Sequence, residues 1–216
     1  MKLFSYESTF SQVALRVAAG CYLNLLWLLC SLPIVTLGAA TTALYSVTLK
    51  LVDGDDSHLT QRFFRGFREN FRQATVLWLI LLGAGLLLSL DGYIVYHLRA
   101  SSTGGVAVFW TLLLALIIAA AVAYTIVLMY VFPLVASVVN TNIAMLINAF
   151  MIGTHYLFCT ITVFMIHFVM FFVVVRLFTP MIIFGESLCA LASSLFLSHV
   201  IAACAYVPDK SEPDAP

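Results

Sequence analysis

Several runs of about 20 residues carry one charged side chain or none, among them 73–97, 106–131 and 154–177. An apolar run of that length is what an α-helix needs to cross the hydrocarbon core of a bilayer. The runs are apolar all round, whereas a transmembrane β-barrel alternates polar and apolar side chains over segments of about 10 residues. The chain therefore reads as all-α. Composition agrees: 63% of the 216 residues are hydrophobic and 9% charged, against about 25% charged in soluble domains. The expectation is a polytopic helical membrane bundle, one domain over 1–207, with a disordered polar tail at 208–216. Lys2 and the small residues Gly38-Ala39-Ala40 imitate parts of a signal peptide. Arg16 lies well inside, however, and the apolar run exceeds an h-region of about 7–15 residues, so the segment is expected to be retained.

Six membrane helices are expected, near 13–32, 34–52, 73–97, 106–131, 154–177 and 180–203. Pro33 separates the first two. The second is rich in small and hydroxyl residues (Gly38, Ala39, Ala40, Thr41, Thr42, Ala43), which let helix backbones approach closely. It pairs with the first span or lies along the membrane surface. Ala115, Ala119 and Ala123 recur every four residues as a packing stripe. Pro133 ends or kinks its helix. In the ambiguous stretch 134–153, Asn140 or Asn142 is the expected N-cap.

Between the second and third spans lies a polar island, Asp53 to Arg72. On a helix over 58–72, Leu59, Phe63, Phe64, Phe67 and Phe71 share one face, and Arg62, Arg65, Arg68 and Arg72 share the other with Glu69. Such an amphipathic helix suits the headgroup level of a membrane. The arginines and Phe63, Phe67 and Phe71 are the candidate contacts to membrane lipids or a partner. Lys and Arg near span ends set orientation. With 34–52 crossing, Lys2, Arg16, Lys50, the four arginines and Lys210 share one side and Arg99 and Arg176 the other, eight against two. Without that crossing the balance is six against four. The stronger bias favours six spans, both termini cytoplasmic.

Charges within a membrane are costly and mark functional candidates. Asn24, Asp91, Arg176 and Glu186 form the candidate intramembrane polar site, with Arg176 expected to pair with Asp91 or Glu186. His58, His97, His155, His167 and His199 show no metal-ligand spacing, and no cofactor or metal is expected. The five cysteines lie in apolar runs without a Cys-x-x-Cys and read as buried thiols. No nucleophile has an evident base, and no phosphate-binding loop exists. Nucleic acid is not an expected partner; anionic lipid explains arginines among phenylalanines better.

Several motifs are familiar: Gly38-Ala39-Ala40-Thr41-Thr42-Ala43-Leu44-Tyr45, Lys50, Gly54-Asp55-Asp56 and Asn70-Phe71-Arg72-Gln73-Ala74-Thr75. Further along stand Tyr130-Val131-Phe132-Pro133-Leu134, Asn148-Ala149-Phe150 and Phe184-Gly185-x-Ser187-Leu188. Together they resemble the YesL-like family of bacterial integral membrane proteins, most specifically in the first third. The resemblance implies a bacterial cell-membrane protein of unknown function, often encoded beside carbohydrate ABC-transporter components, with no catalytic residues to carry over. The chain departs from the family where charged residues usually follow the Phe-Pro motif: 134–153 has none. The leading expectation is a non-catalytic accessory or regulator of carbohydrate ABC-type uptake. The alternatives are a small transporter or channel using Asp91, Arg176 and Glu186, and an intramembrane enzyme.

Overall fold

The computed structural model describes residues 9–55, 57–177 and 182–205. The tail at 208–216 and the interfacial start around Phe4 and Tyr6 lie outside them, as do the side chains of Arg16 and Cys204. Apart from short turns and links, the described residues are helical, and none is in a strand. Seven helices follow one another: α1 Thr9–Ser31, α2 Leu37–Val52, α3 Leu59–Ala100, α4 Gly104–Ser137, α5 Asn142–His155, α6 Leu157–Phe172 and α7 Ile182–Ala205. A 3-10 turn, Ile34–Thr36, precedes α2, and a π turn, Val173–Leu177, extends α6. Four helical stretches are long and apolar enough to cross a membrane: Ile34–Val52, Leu59–Ala100, Gly104–Ser137 and Leu157–Arg176. Ala18–Ser31 and Gly185–Ile201 are shorter apolar helices.

Local chemistry sets most boundaries. Pro33 is extended (φ −75°, ψ 119°) and turns the chain from α1 into α2. Gly54 (φ +90°) makes the turn after α2, a conformation that glycine adopts without strain. The segment 58–72 is not a separate helix. It is the first part of one 42-residue helix, α3, because Gln73-Ala74-Thr75 contain neither a breaker nor a cap. At 1.5 Å per residue α3 is about 63 Å long. Pro133 does not end α4, which continues to Ser137; there the Ser137 hydroxyl donates to the Pro133 carbonyl at 2.8 Å. Neither asparagine caps α5. Thr141 does, accepting from the Ala144 N–H at 3.4 Å, while the Asn140 side chain accepts from the Thr141 N–H.

The two parts of α3 have different partners. Its first part lies along α2. A Cβ on Gly38 would stand 2.7 Å from the Ala74 carbonyl, Gly66 abuts Ser46 and Ala43, and Trp78 Nε1 donates to the Ile34 carbonyl at 2.7 Å. The buried stripe is Phe63, Gly66, Ala74, Leu77 and Leu81. The expected aromatic face therefore divides. Phe63 is buried and Phe67 packs against the core, but Phe64 and Phe71 point outward. A helix-on-helix contact through small residues is narrower than a lipid-facing aromatic face. The second part of α3 pairs with α4. Tyr124 donates to the Leu81 carbonyl at 3.0 Å, and Arg99 Nε donates to Thr111 at 3.0 Å. The expected stripe on α4 is packed only in part: Ala115 and Ala119 are exposed and Ala123 is half-buried, while Thr111, Ile117 and Tyr124 meet α3.

At the base of the bundle the ends of α2, α4 and α7 converge, with Lys50, Asp53, Ser137 and Ser198 around one cavity. Tyr22 on α1 bonds Thr60 at the start of α3, at 2.8 Å. The α1–α2 hairpin thus returns to the end from which α3 sets out.

Candidate polar site between the amino-terminal hairpin and the last two helices

Helices α1, α2 and α7 are stitched by buried polar contacts. The Asn24 side-chain oxygen accepts from the Ser187 N–H at 2.8 Å, near the start of α7. Ser187 is the sixth residue of α7, so this bond is a cross-link from α1 to α7 rather than a cap. Trp27 Nε1 donates to Thr41 Oγ1 at 3.1 Å, and Thr48 and Ser194 hydroxyls bond at 2.9 Å. These small hydroxyl residues are what allow the three helices to lie so close.

Two cavities meet at this polar seam. The larger, about 430 Å³, lies between α2, α3, α4, α6 and α7; Thr41, Tyr45, Trp78, Thr125, His167 and Glu186 are the lining residues with polar side-chain atoms. The second, about 360 Å³, is lined by Trp27, His167, Glu186 and Cys189. Glu186 and His167 therefore border both. His167 Nδ1 lies 2.9 Å from the Val163 carbonyl. A carbonyl only accepts, so Nδ1 carries a hydrogen and Nε2 is left facing away from that bond.

Of the four residues expected to form the intramembrane site, the structure brings Asn24 and Glu186 to one seam, through Ser187. Asp91 and Arg176 are not brought there. Both are exposed, and neither makes an ion pair among the described residues. The expected pairing of Arg176 with Asp91 or Glu186 does not form, because Asp91 sits on an outward face of α3 and Arg176 on the outward side of its π turn. His167 and Tyr45 were not singled out by sequence. Their signal was a polar side chain in an apolar helix, weak for any one residue and decisive only once α2, α6 and α7 are assembled.

The basic stretch is a second surface. Arg65, Arg68 and Arg72 are exposed and free of ion pairs among the described residues. Arg62 instead pairs with Asp55 across the turn. The Arg62 guanidinium and the Ser57 hydroxyl hold the Asp55 carboxyl down to about 2. A depressed carboxyl pKa contributes stability above its unfolded value and loses it as pH falls through the folded one. This contact is therefore intact at neutral pH and is lost only in strong acid.

Four cysteines, Cys21, Cys30, Cys159 and Cys189, are free thiols, and no three His, Cys, Asp or Glu side chains cluster as metal ligands among the described residues.

Residues 21–92 match a family described as a protein of unknown function, DUF624. The YesL-like proteins are members of DUF624. The match spans the later part of α1, all of α2 and most of α3, so Asn24, Thr41, Tyr45 and the four arginines Arg62 to Arg72 fall within the DUF624 region and His167 and Glu186 beyond it. No curated protein and no solved structure matches the chain.

Proposed function

We propose that the protein is a non-catalytic, multi-pass protein of a bacterial cell membrane that serves another membrane assembly, a carbohydrate ABC-type uptake system. The observation that carries this reading is the free cationic face of Arg65, Arg68 and Arg72 on a helix continuous with an apolar hairpin. A rigid helix that leaves the bilayer with exposed guanidinium groups presents them to phosphate headgroups or to carboxylates of a partner. The link to carbohydrate uptake rests on the resemblance to the YesL-like proteins alone. Deleting the gene is expected to lower the rate of labelled-sugar uptake through the neighbouring transporter, and the wild-type gene in trans to restore it. Unchanged uptake of every sugar that the transporter handles contradicts the reading.

Bilayer placement follows from the same face. Exposed arginines do not sit in hydrocarbon, which is about 30 Å thick. The membrane then brackets α3 between Arg72 and Arg99, with the arginine end cytoplasmic. Because α2 lies along the basic part of α3, only its Leu37 end and the hairpin tip at Leu32 and Ile34, both strongly exposed, reach hydrocarbon depth. The return of the hairpin to the start of α3, and the convergence of α2 and α7 at the base, support a reading in which both termini are cytoplasmic.

A small transporter or channel is the second reading, favoured by the Glu186–His167 cavities. With Asp91 and Arg176 on outer faces, these cavities are not extended into a continuous polar path.

A further inference from the structure

We propose that the larger cavity binds a monovalent organic ammonium with an apolar body, the cationic end against Glu186 and the rest among aromatic rings. This inference does not rest on the accessory role proposed above. At about 430 Å³ the cavity falls in the size range of small-molecule sites. Tyr45, Trp78, Phe132, Phe164, Phe168 and Phe171 contribute to its wall. Aromatic faces attract cations, most strongly where water is excluded. Glu186 adds a carboxyl group that forms no hydrogen bond or ion pair among the described residues, and a bound ammonium would hold it in its anionic form.

The remaining polar groups select the same class. Among the described residues, no lysine or arginine lines either cavity. His167, with its hydrogen on Nδ1, offers a lone pair at Nε2 and carries no charge when neutral. Thr41 already accepts from Trp27. An anionic ligand would meet the carboxylate without a compensating cation. A sugar would surrender the water on its many hydroxyls to a wall with few polar atoms, leaving most of them unpaired. A cation with an apolar body keeps its single charge satisfied by Glu186 and buries the rest.

The test uses the full-length protein in nanodiscs of zwitterionic lipid, titrated with benzyltrimethylammonium and followed by tryptophan fluorescence, since Trp78 lines the cavity. Saturable binding is expected. Glu186→Gln should weaken it at least about tenfold, a loss of about 1.4 kcal/mol, while Glu186→Asp retains it in larger part and Asp91→Asn leaves it unchanged. Neopentylbenzene, the uncharged molecule of the same shape, should not displace the cation from wild-type protein. Absence of saturable binding, equal affinity in a folded Glu186→Gln protein, or displacement by neopentylbenzene overturns the proposal. Should Glu186→Gln fail to fold, the wild-type competition alone decides.

Discussion

Gly38→Ala is expected to destabilise the folded protein by about 1–3 kcal/mol, the usual cost of overpacking a tight core. One methyl group suffices because three elements meet at this residue. A Cβ there would stand 2.5 Å from Trp78 Cβ, 2.7 Å from the Ala74 carbonyl oxygen and 3.0 Å from Phe132 Cε1. The first two belong to the α3 backbone or sit directly on it, so no rotamer change relieves the contact. The helices must separate, which also disturbs the Trp78 Nε1 bond to Ile34. Gly83→Ala is the matched control: the same methyl group meets nothing within 4 Å, and alanine is the better helix former by up to about 1 kcal/mol. Denaturant titration in detergent, followed by tryptophan fluorescence, should give a lower midpoint for Gly38→Ala and an equal or higher one for Gly83→Ala. Equal midpoints for Gly38→Ala and wild type contradict the α2–α3 packing described here.

Replacing Arg62, Arg65, Arg68 and Arg72 with glutamine is expected to have the largest effect of any surface change. Each basic residue near an anionic membrane surface contributes about 1 kcal/mol. Arg62 is already engaged by Asp55, so the three free arginines carry about 3 kcal/mol of that attraction if they act independently. Four of the eight positive charges expected on the cytoplasmic side are lost in this replacement. A fraction of the molecules should insert inverted, and complementation of sugar uptake should fall accordingly. The four-lysine variant separates charge from shape. Lysine keeps the charge and the topology but not the planar, two-point grip on a carboxylate or phosphate. Full activity with lysine means that charge alone acts. Wild-type orientation and wild-type activity in the glutamine protein would remove the basic face from the account.

Helix identity was legible because it depends on local composition. Long apolar runs without breakers favour helix, and α4, α6 and the second part of α3 follow such runs, although α3 itself begins earlier, at Leu59. What was not legible was which helix lies beside which. The phenylalanine periodicity in 63–71 implies one aromatic face, but Gly66 and Ala74 determine where α2 docks, and the buried stripe follows them. The alanine stripe on α4 has ideal spacing, yet Ala115 and Ala119 are exposed among the described residues, since spacing describes only one of the two surfaces in a contact. At the polar site, Asn24 and Glu186 stood out as polar residues in apolar runs. That Asn24 serves an amide next to Glu186, and that Asp91 does not join them, are facts of tertiary arrangement.

The central claim is that the arginine-bearing end of α3 is cytoplasmic and the α3–α4 turn, Arg99 to Gly105, external. It is tested most directly by labelling single cysteines introduced at Ser102 and at Ser57, on a background lacking the native cysteines, with a membrane-impermeant maleimide on intact cells. The account predicts labelling of Ser102→Cys from outside, and labelling of Ser57→Cys only after the membrane is permeabilised. The reverse pattern, with Ser57→Cys reactive on intact cells and Ser102→Cys protected until permeabilisation, would contradict it.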